Sequence, residues 1–207
     1  MPSYPSFFKL RRREIIGVDY RVRVRYGFSG LAVMSIHGGG IEPGTTEIAE
    51  EVAADLHTFY TFSGTKNEGN LRLHLSSKDF DEPLGVEIAK HAVAVVTIHG
   101  CRDEEEIVYL GGRDDRLKSR IREALSRSGY LTGDDLRFPG TNPRNICNRN
   151  RTGMGVQLEI SMPLRRAMFG DIGRIFRKRR TPRFGHFVAA LHEGLRDVVE
   201  RRDLDPQ

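Results

Sequence analysis

The apolar positions of this chain switch repeatedly between a two-residue and a helical period. From Asp19 to Tyr26, the residues Tyr20, Val22, Val24 and Tyr26 alternate with Arg21, Arg23 and Arg25, the period of a half-exposed strand. Leu31 to Ile36 is almost wholly apolar, as a central strand covered on both faces should be. From Thr45 the pattern turns helical. Ile48, Val52 and Leu56 fall four apart, Thr45 or Thr46 is placed to cap, and Glu47 and Glu50 suit the positive start of a helix. Thr58 to Phe62 reads as a short strand and Ser63 to Asn70 as a polar loop.

The alternation continues. Leu71 to Leu75 reads as a brief strand, Glu82 to His91 as a helix, and Ala92 to Ile98 as a second central strand. Ile107 to Leu110 follows as an edge strand. Asp114 to Arg127 is a helix with Leu117, Ile121 and Leu125 on one face. Gly129 to Arg151, dense in proline, glycine and asparagine, is expected to be an active-site loop, and Val156 to Ile160 a strand. A last helix over 185–201 buries Phe187, Leu191, Leu195 and Val198. Strands alternating with helices predict an α/β fold: a single-domain α/β/α sandwich over 1–207 with a central mixed, largely parallel sheet. Ligands then gather beyond the C-terminal ends of the central strands, where His37, His99 and Glu159 fall.

Composition narrows this little. The 207 residues suffice for one domain with a substantial core. No apolar run approaches the ~20 residues that span a bilayer, so no membrane partner is expected. Arg11-Arg12-Arg13 follows the first apolar residues rather than preceding them, the wrong order for a secretory signal. A cytoplasmic protein, or one released by lysis, is the expectation. Cys101 and Cys147 cannot supply a disulfide framework and read as free thiols. The net charge of +5 favours polyanions, whether nucleic acid or an acidic polymer. The densest basic stretch, Arg174 to Arg183, has only Phe176 for stacking, too little interleaving for a single-strand platform. A solvated loop ranks first there, a funnel for an acidic substrate second and nucleic-acid binding last.

The chemistry concentrates in Ile36-His37-Gly38-Gly39-Gly40-Ile41-Glu42-Pro43-Gly44-Thr45-Thr46. It places an imidazole and a carboxylate on one glycine loop behind a central strand. The second central strand also ends in a histidine, His99, before Gly100. Two imidazoles and a carboxylate, with a fourth position for water, form a catalytic zinc set. Glu42 is preferred to Glu47, which falls within the following helix. The same loop has the glycine spacing of a phosphate cradle but lacks its lysine, since Thr45 stands there, and carries Glu42 inside.

Several segments, in this order, resemble the phage-type poly-γ-glutamate hydrolase family. They are Gly17 to Val22, Ser35 to Thr46, Phe80-Asp81-Glu82-Pro83, Thr97-Ile98-His99-Gly100, Asn142 to Arg149 and Gly155 to Ser161. The likeness runs from about Gly17 to Arg166. It implies a zinc-dependent hydrolase with a zinc-carboxypeptidase-like fold that cuts the γ-glutamyl amide bonds of an anionic polymer. His37, Glu42 and His99 would hold zinc, and Glu159 matches the general base. The Asn148-Arg149 pair resembles the substrate-carboxylate clamp of zinc carboxypeptidases. Arg149 is thus expected to steady the oxyanion or substrate, with Asn148, Arg144 and Arg165 as substrate contacts. His74 is left outside the site. A zinc deacylase of small N-acyl amino acids would need the same residues, and a basic nucleic-acid-binding protein is the non-enzymatic alternative.

Overall fold

A computed structural model of the chain describes residues 4–175, 177 and 179–200, with side chains as far as Arg196. Phe176 and the side chain of Val198, singled out above, lie outside the described residues. The elements follow one another as α1 (Phe7–Leu10), β1 (Tyr20–Arg25), β2 (Leu31–Gly39), α2 (Thr45–Ala53), β3 (Thr58–Gly64), α3 (Pro83–His91), β4 (Ala94–Cys101), β5 (Ile107–Gly112), α4 (Asp115–Arg127), β6 (Leu131–Gly133), β7 (Val156–Ser161), α5 (Met162–Phe169) and α6 (Pro182–Glu200). The strands form one seven-stranded sheet in the order β1-β3-β2-β4-β7-β5-β6. Only β1 with β3 and β5 with β7 pair antiparallel; the other neighbours are parallel. The expected mixed, largely parallel sheet is therefore present.

Both faces are covered, which is why the central strands read as continuous apolar runs. Leu31, Val33, Val96, Ile98 and Leu158 pack under α2, α4, α5 and α6, through Ile48, Ile121, Leu164 and Phe187 among others. Ala32, Met34, Ile36 and Val95 face the other way, toward Phe7 and Leu10 of α1 and Ile88 of α3. No helix among the described residues is long and apolar enough to cross a membrane.

Four local expectations are corrected. Ile107 to Leu110 belongs to β5, which lies inside the sheet; the edge is β6, within the stretch read as loop. Leu71 to Leu75 is no strand, because Asn70–Leu73 is a turn of 3₁₀ helix. Gly44, at φ 96°, is the N-cap of α2 in place of a threonine hydroxyl. That helix also stops at Ala53, so Leu56 lies beyond it.

One irregularity shapes the site. Along β2 the pairing with β3 runs Ser35↔Thr61 and then Gly38↔Ser63. Three steps on one strand meet two on the other, a bulge of one extra residue. Strict alternation after Ala32, Met34 and Ile36 would send His37 to the far face. The bulge re-aims it, and His37 instead bonds the Leu75 carbonyl on the α3 side.

Candidate metal centre

The glycine loop does not cradle an anion. Its amides are consumed internally: Gly39 N donates to Thr46 Oγ1, Gly40 N to Gly64 O, Ile41 N to Gly38 O and Glu42 N to His37 O. The loop is drawn down onto Thr46, Thr61 and Ser63, whose hydroxyls a Cβ on Gly38 would meet at 2.1–2.8 Å. Thr45 Oγ1 donates to the Glu42 carbonyl at 2.8 Å and sits 2.9 Å from Ser35 Oγ. This packing turns the Glu42 carboxylate back toward the strand ends.

There it meets both histidines. Glu42 Oε1 is 2.9 Å from His37 Nδ1, Glu42 Oε2 is 3.6 Å from His99 Nδ1, and the two Nδ1 atoms are 3.1 Å apart. One ligand atom from each of His37, Glu42 and His99 lies within 4.8 Å of the others, so the three can hold a metal ion. The surroundings fit that use. His37 Nε2 lies 2.6 Å from the Leu75 carbonyl. A carbonyl only accepts, so the proton sits on Nε2 and leaves the Nδ1 lone pair facing inward, the usual support of a metal-bound imidazole. Gly100 N donates to Glu42 Oε2 at 2.9 Å and fixes the carboxylate. His99 Nε2 is buried without a hydrogen-bond partner, which marks the ring as placed for something other than hydrogen bonding to the protein. Glu47 lies in α2 and pairs with Arg177 at 3.0 Å, away from the cluster.

Burial and charge set the protonation states. Burial lowers the His37 pKa to about 4, so its ring is neutral and available as a ligand. Burial works against the Glu42 carboxylate, but the neighbouring imidazoles of His37, His74 and His99 hold its pKa well below the ordinary value. Burial likewise disfavours charge on His99, yet Glu159 and Glu42 raise it. Glu159 is the register partner of His99, with β7 beside β4. Burial raises its pKa to about 7 despite the opposing pull of His99, a value suited to proton transfer at neutral pH.

A cleft of about 890 Å³ opens in front of these groups, lined by His37, Glu42, His99 and Glu159 together with residues 76–79 and 137–143. The stretch read as active-site loop supplies much of the wall. Two side chains absent from the expected site stand here. His74 stacks on the His37 ring, centroids 3.8 Å apart, with its Nε2 3.6 Å from Glu42 Oε1. Arg137 pairs with Asp135 and Asp103 at 2.5 and 3.2 Å and lies over the rings of Phe138 and Tyr109. The spacing of Asp135 and Arg137 in sequence was the available signal for an anchored cation.

The other expected substrate contacts lie outside the cleft lining. Arg149 donates to the carbonyls of Arg144, Phe80 and Lys78 at 2.6, 2.7 and 2.9 Å. Asn148 binds the Gly140 and Asn142 carbonyls and the Gly155 amide. Both fix loops, and their polar atoms are committed. Arg165 is buried behind the site, donating to the carbonyls of Ile160, Pro43 and Cys101. Arg144 is exposed and paired with Asp79 at 2.8 Å. Cys101 and Cys147 are free thiols whose pKa burial pushes up to about 12, so neither is a nucleophile at neutral pH.

A buried His–Glu–His cluster, a buried glutamate in register beside it and a cleft in front are groups that a hydrolase uses. Known proteins narrow the class. The family model of poly-gamma-glutamate hydrolase matches residues 4–190, and the chain belongs to that family. A solved bacteriophage poly-gamma-glutamate hydrolase superposes with a TM-score of 0.93 at 34% identity, covering 99% of this chain and 100% of the other. A zinc-free structure of YNDL superposes at 0.90 with 31% identity over 95% and 98% of the two chains. The UPF0714 protein YndL of Bacillus subtilis (strain 168) is 35% identical over 170 residues, 81% of this chain and 67% of its own length. A further curated relative matches over 61% of its length.

Proposed function

We propose that the protein is a zinc-dependent amidohydrolase that cleaves the γ-glutamyl amide bonds of poly-γ-glutamate. The convergence of His37, Glu42 and His99, with Glu159 in register beside His99, carries this reading in a chain of that family. Bound there, zinc would supply a Lewis acid that polarises the scissile carbonyl and brings the pKa of water toward ~7. The ligand set is the one the zinc-carboxypeptidase likeness implies, and the zinc-free state of the YNDL structure supports zinc as the family's metal.

The chain's own residues do the rest. The Glu159 carboxylate accepts a proton from the attacking water and returns it to the leaving amine nitrogen. His74, stacked flat on His37, holds that ring and the Glu42 carboxylate in place. Each unit of the polymer carries a free carboxylate, and the cleft offers Lys78 and Arg137 to meet it. Arg137 is held from one side by Asp103 and Asp135 and from another by aromatic faces. Its guanidinium is therefore already ordered before substrate binds. Arg149 and Asn148 act at one remove, shaping the wall that carries these groups.

Metal analysis of the purified protein, with chain-length analysis of poly-γ-glutamate after incubation, tests the reading. Stoichiometric zinc and shortened polymer are expected from the wild type, and intact polymer from Glu159→Gln. Turnover of small N-acyl amino acids with no shortening of the polymer would transfer the assignment to a deacylase.

A further inference from the structure

We propose that the exposed basic face beside α1, made by Lys9, Arg11, Arg12 and Arg13, is a second binding site for the polycarboxylate, outside the catalytic cleft. The inference rests on the polyanionic substrate of the reading above.

The distribution of uncompensated charge is the first observation. The basic stretch Arg174 to Arg183, for which a funnel ranked second, is neutralised in part, since Arg177, Arg180 and Arg183 pair with Glu47, Glu51 and Glu106. Around α1 the situation is the reverse. Lys9, Arg11, Arg12 and Arg13 are all exposed, and no ion pair joins any of them to a carboxylate among the described residues. The adjacent acid, Glu14, is buried and already binds Lys66 Nζ and Tyr4 Oη at 2.5 and 2.6 Å. Asp19 is engaged by Lys66 and the Ile15 amide. Four positive side chains within five residues thus face solvent with their field unopposed, which raises the local concentration of a polyanion.

Shape and rigidity are the second. A concavity of about 460 Å³ is lined by Tyr4, Lys9, Arg12 and Arg13. The segment beneath is fixed: Phe7 and Leu10 are buried in the core and the Phe7 amide donates to Asp81. Arg11 and Arg12 lie over the Phe8 ring at 5.7 and 5.9 Å. This aromatic is thereby occupied, which disfavours base stacking and leaves guanidinium–carboxylate pairing as the chemistry on offer.

Placement is the third. Phe7 and Leu10 share a core cluster with Leu73, Leu75 and Phe80. That segment turns His74, Ser76 and Lys78 into the cleft. The helix that carries the basic face and the segment that lines the cleft are thus built on one core cluster, which a chain long enough to leave the cleft would span.

The test compares Arg11→Gln/Arg12→Gln/Arg13→Gln with a control of equal charge loss, Arg116→Gln/Arg174→Gln/Arg179→Gln, at exposed arginines elsewhere. Rates are measured on long poly-γ-glutamate and on a γ-glutamyl oligomer short enough to fill only the cleft. Binding of labelled long polymer to each triple variant in the Glu159→Gln background is followed by fluorescence anisotropy. The first variant should raise the KM for long polymer roughly tenfold, with kcat and oligomer kinetics unchanged, and the difference should vanish in high salt. The control should behave as wild type. Unchanged KM and binding on long polymer, or an equal rise in the control, overturns the site. So does loss of binding confined to a DNA oligonucleotide or to anionic lipid vesicles. Failure of the wild type to cut polymer or oligomer would overturn the proposed activity instead, while anisotropy with poly-γ-glutamate still decides the site.

Discussion

His99 and Glu159 are register partners on the parallel strands β4 and β7. Near the end of one strand stands an imidazole of the candidate metal cluster, while its neighbour holds a carboxylate at the same height and on the same face. The pair influence each other's protonation: Glu159 favours charge on His99, and His99 partly offsets the burial that raises the pKa of Glu159. A single rung of the sheet thus carries both a member of the candidate metal cluster and the proposed proton acceptor.

Glu159→Gln should keep the metal and lose turnover by roughly 10²–10⁴-fold, since an amide cannot accept the proton. Metal content and kcat, measured on one preparation, check this together. The base works only when ionised, and its pKa lies at about 7, so activity should fall as pH drops through that region. A bound cation favours the carboxylate, so the acidic limb of the zinc-loaded enzyme should lie below that value.

Arg137 and Arg149 should separate cleanly. Arg149→Ala leaves three carbonyls without their donor and should lower stability by about 2–3 kcal/mol, visible as a fall in the melting temperature. Arg137→Ala should leave the melting temperature nearly unchanged. It should raise KM on the anionic polymer and flatten the dependence of rate on salt. The opposite outcome would return Arg149 to the clamp role that the sequence suggested.

Chelation should abolish activity without unfolding the sheet, because the related YNDL structure keeps this fold zinc-free. Far-ultraviolet circular dichroism should be unchanged and added zinc should restore turnover. The melting temperature should fall, since a ligand at 1,000 times its Kd contributes about 4 kcal/mol to the folded state.

Acid should weaken the fold through a histidine outside the site. His57 is buried beside Ser29, and burial, with His192, lowers its pKa from 6.5 to about 4. Between those values the unfolded chain binds a proton that the folded protein does not, so stability declines as pH falls through that window. His57→Gln should remove this share of the decline, leaving that of His37, in melts recorded from pH 7 to pH 4.

The cluster of His37, Glu42 and His99 was legible because each member is announced locally. Two apolar runs end in histidine, and a carboxylate sits on a glycine loop beside one of them. The arginines were not, because a guanidinium's role depends on which carbonyls or carboxylates folding brings to it. Arg149 reads like a substrate clamp and meets three backbone oxygens instead. Arg137 reads like a loop residue and is anchored by Asp103, more than thirty positions away. His74 was hidden by a false period: Leu71, Leu73 and Leu75 alternate, but Asn70–Leu73 closes as a 3₁₀ turn. β6 is too short to show any period at all, and α5 follows β7 without a linker.

The bulge at His37 has a consequence for how such a protein can change. Deleting one residue between Ser35 and Gly38 would restore a regular ladder between β2 and β3, leaving a single position opposite Phe62 for Ile36 and His37 to compete for. A repaired sheet that kept the apolar Ile36 there would lack the imidazole. Selection for sturdier strand pairing and selection for catalysis therefore pull in opposite directions at this position, and a thermostabilised descendant that had straightened β2 would be a well-folded but inert relative.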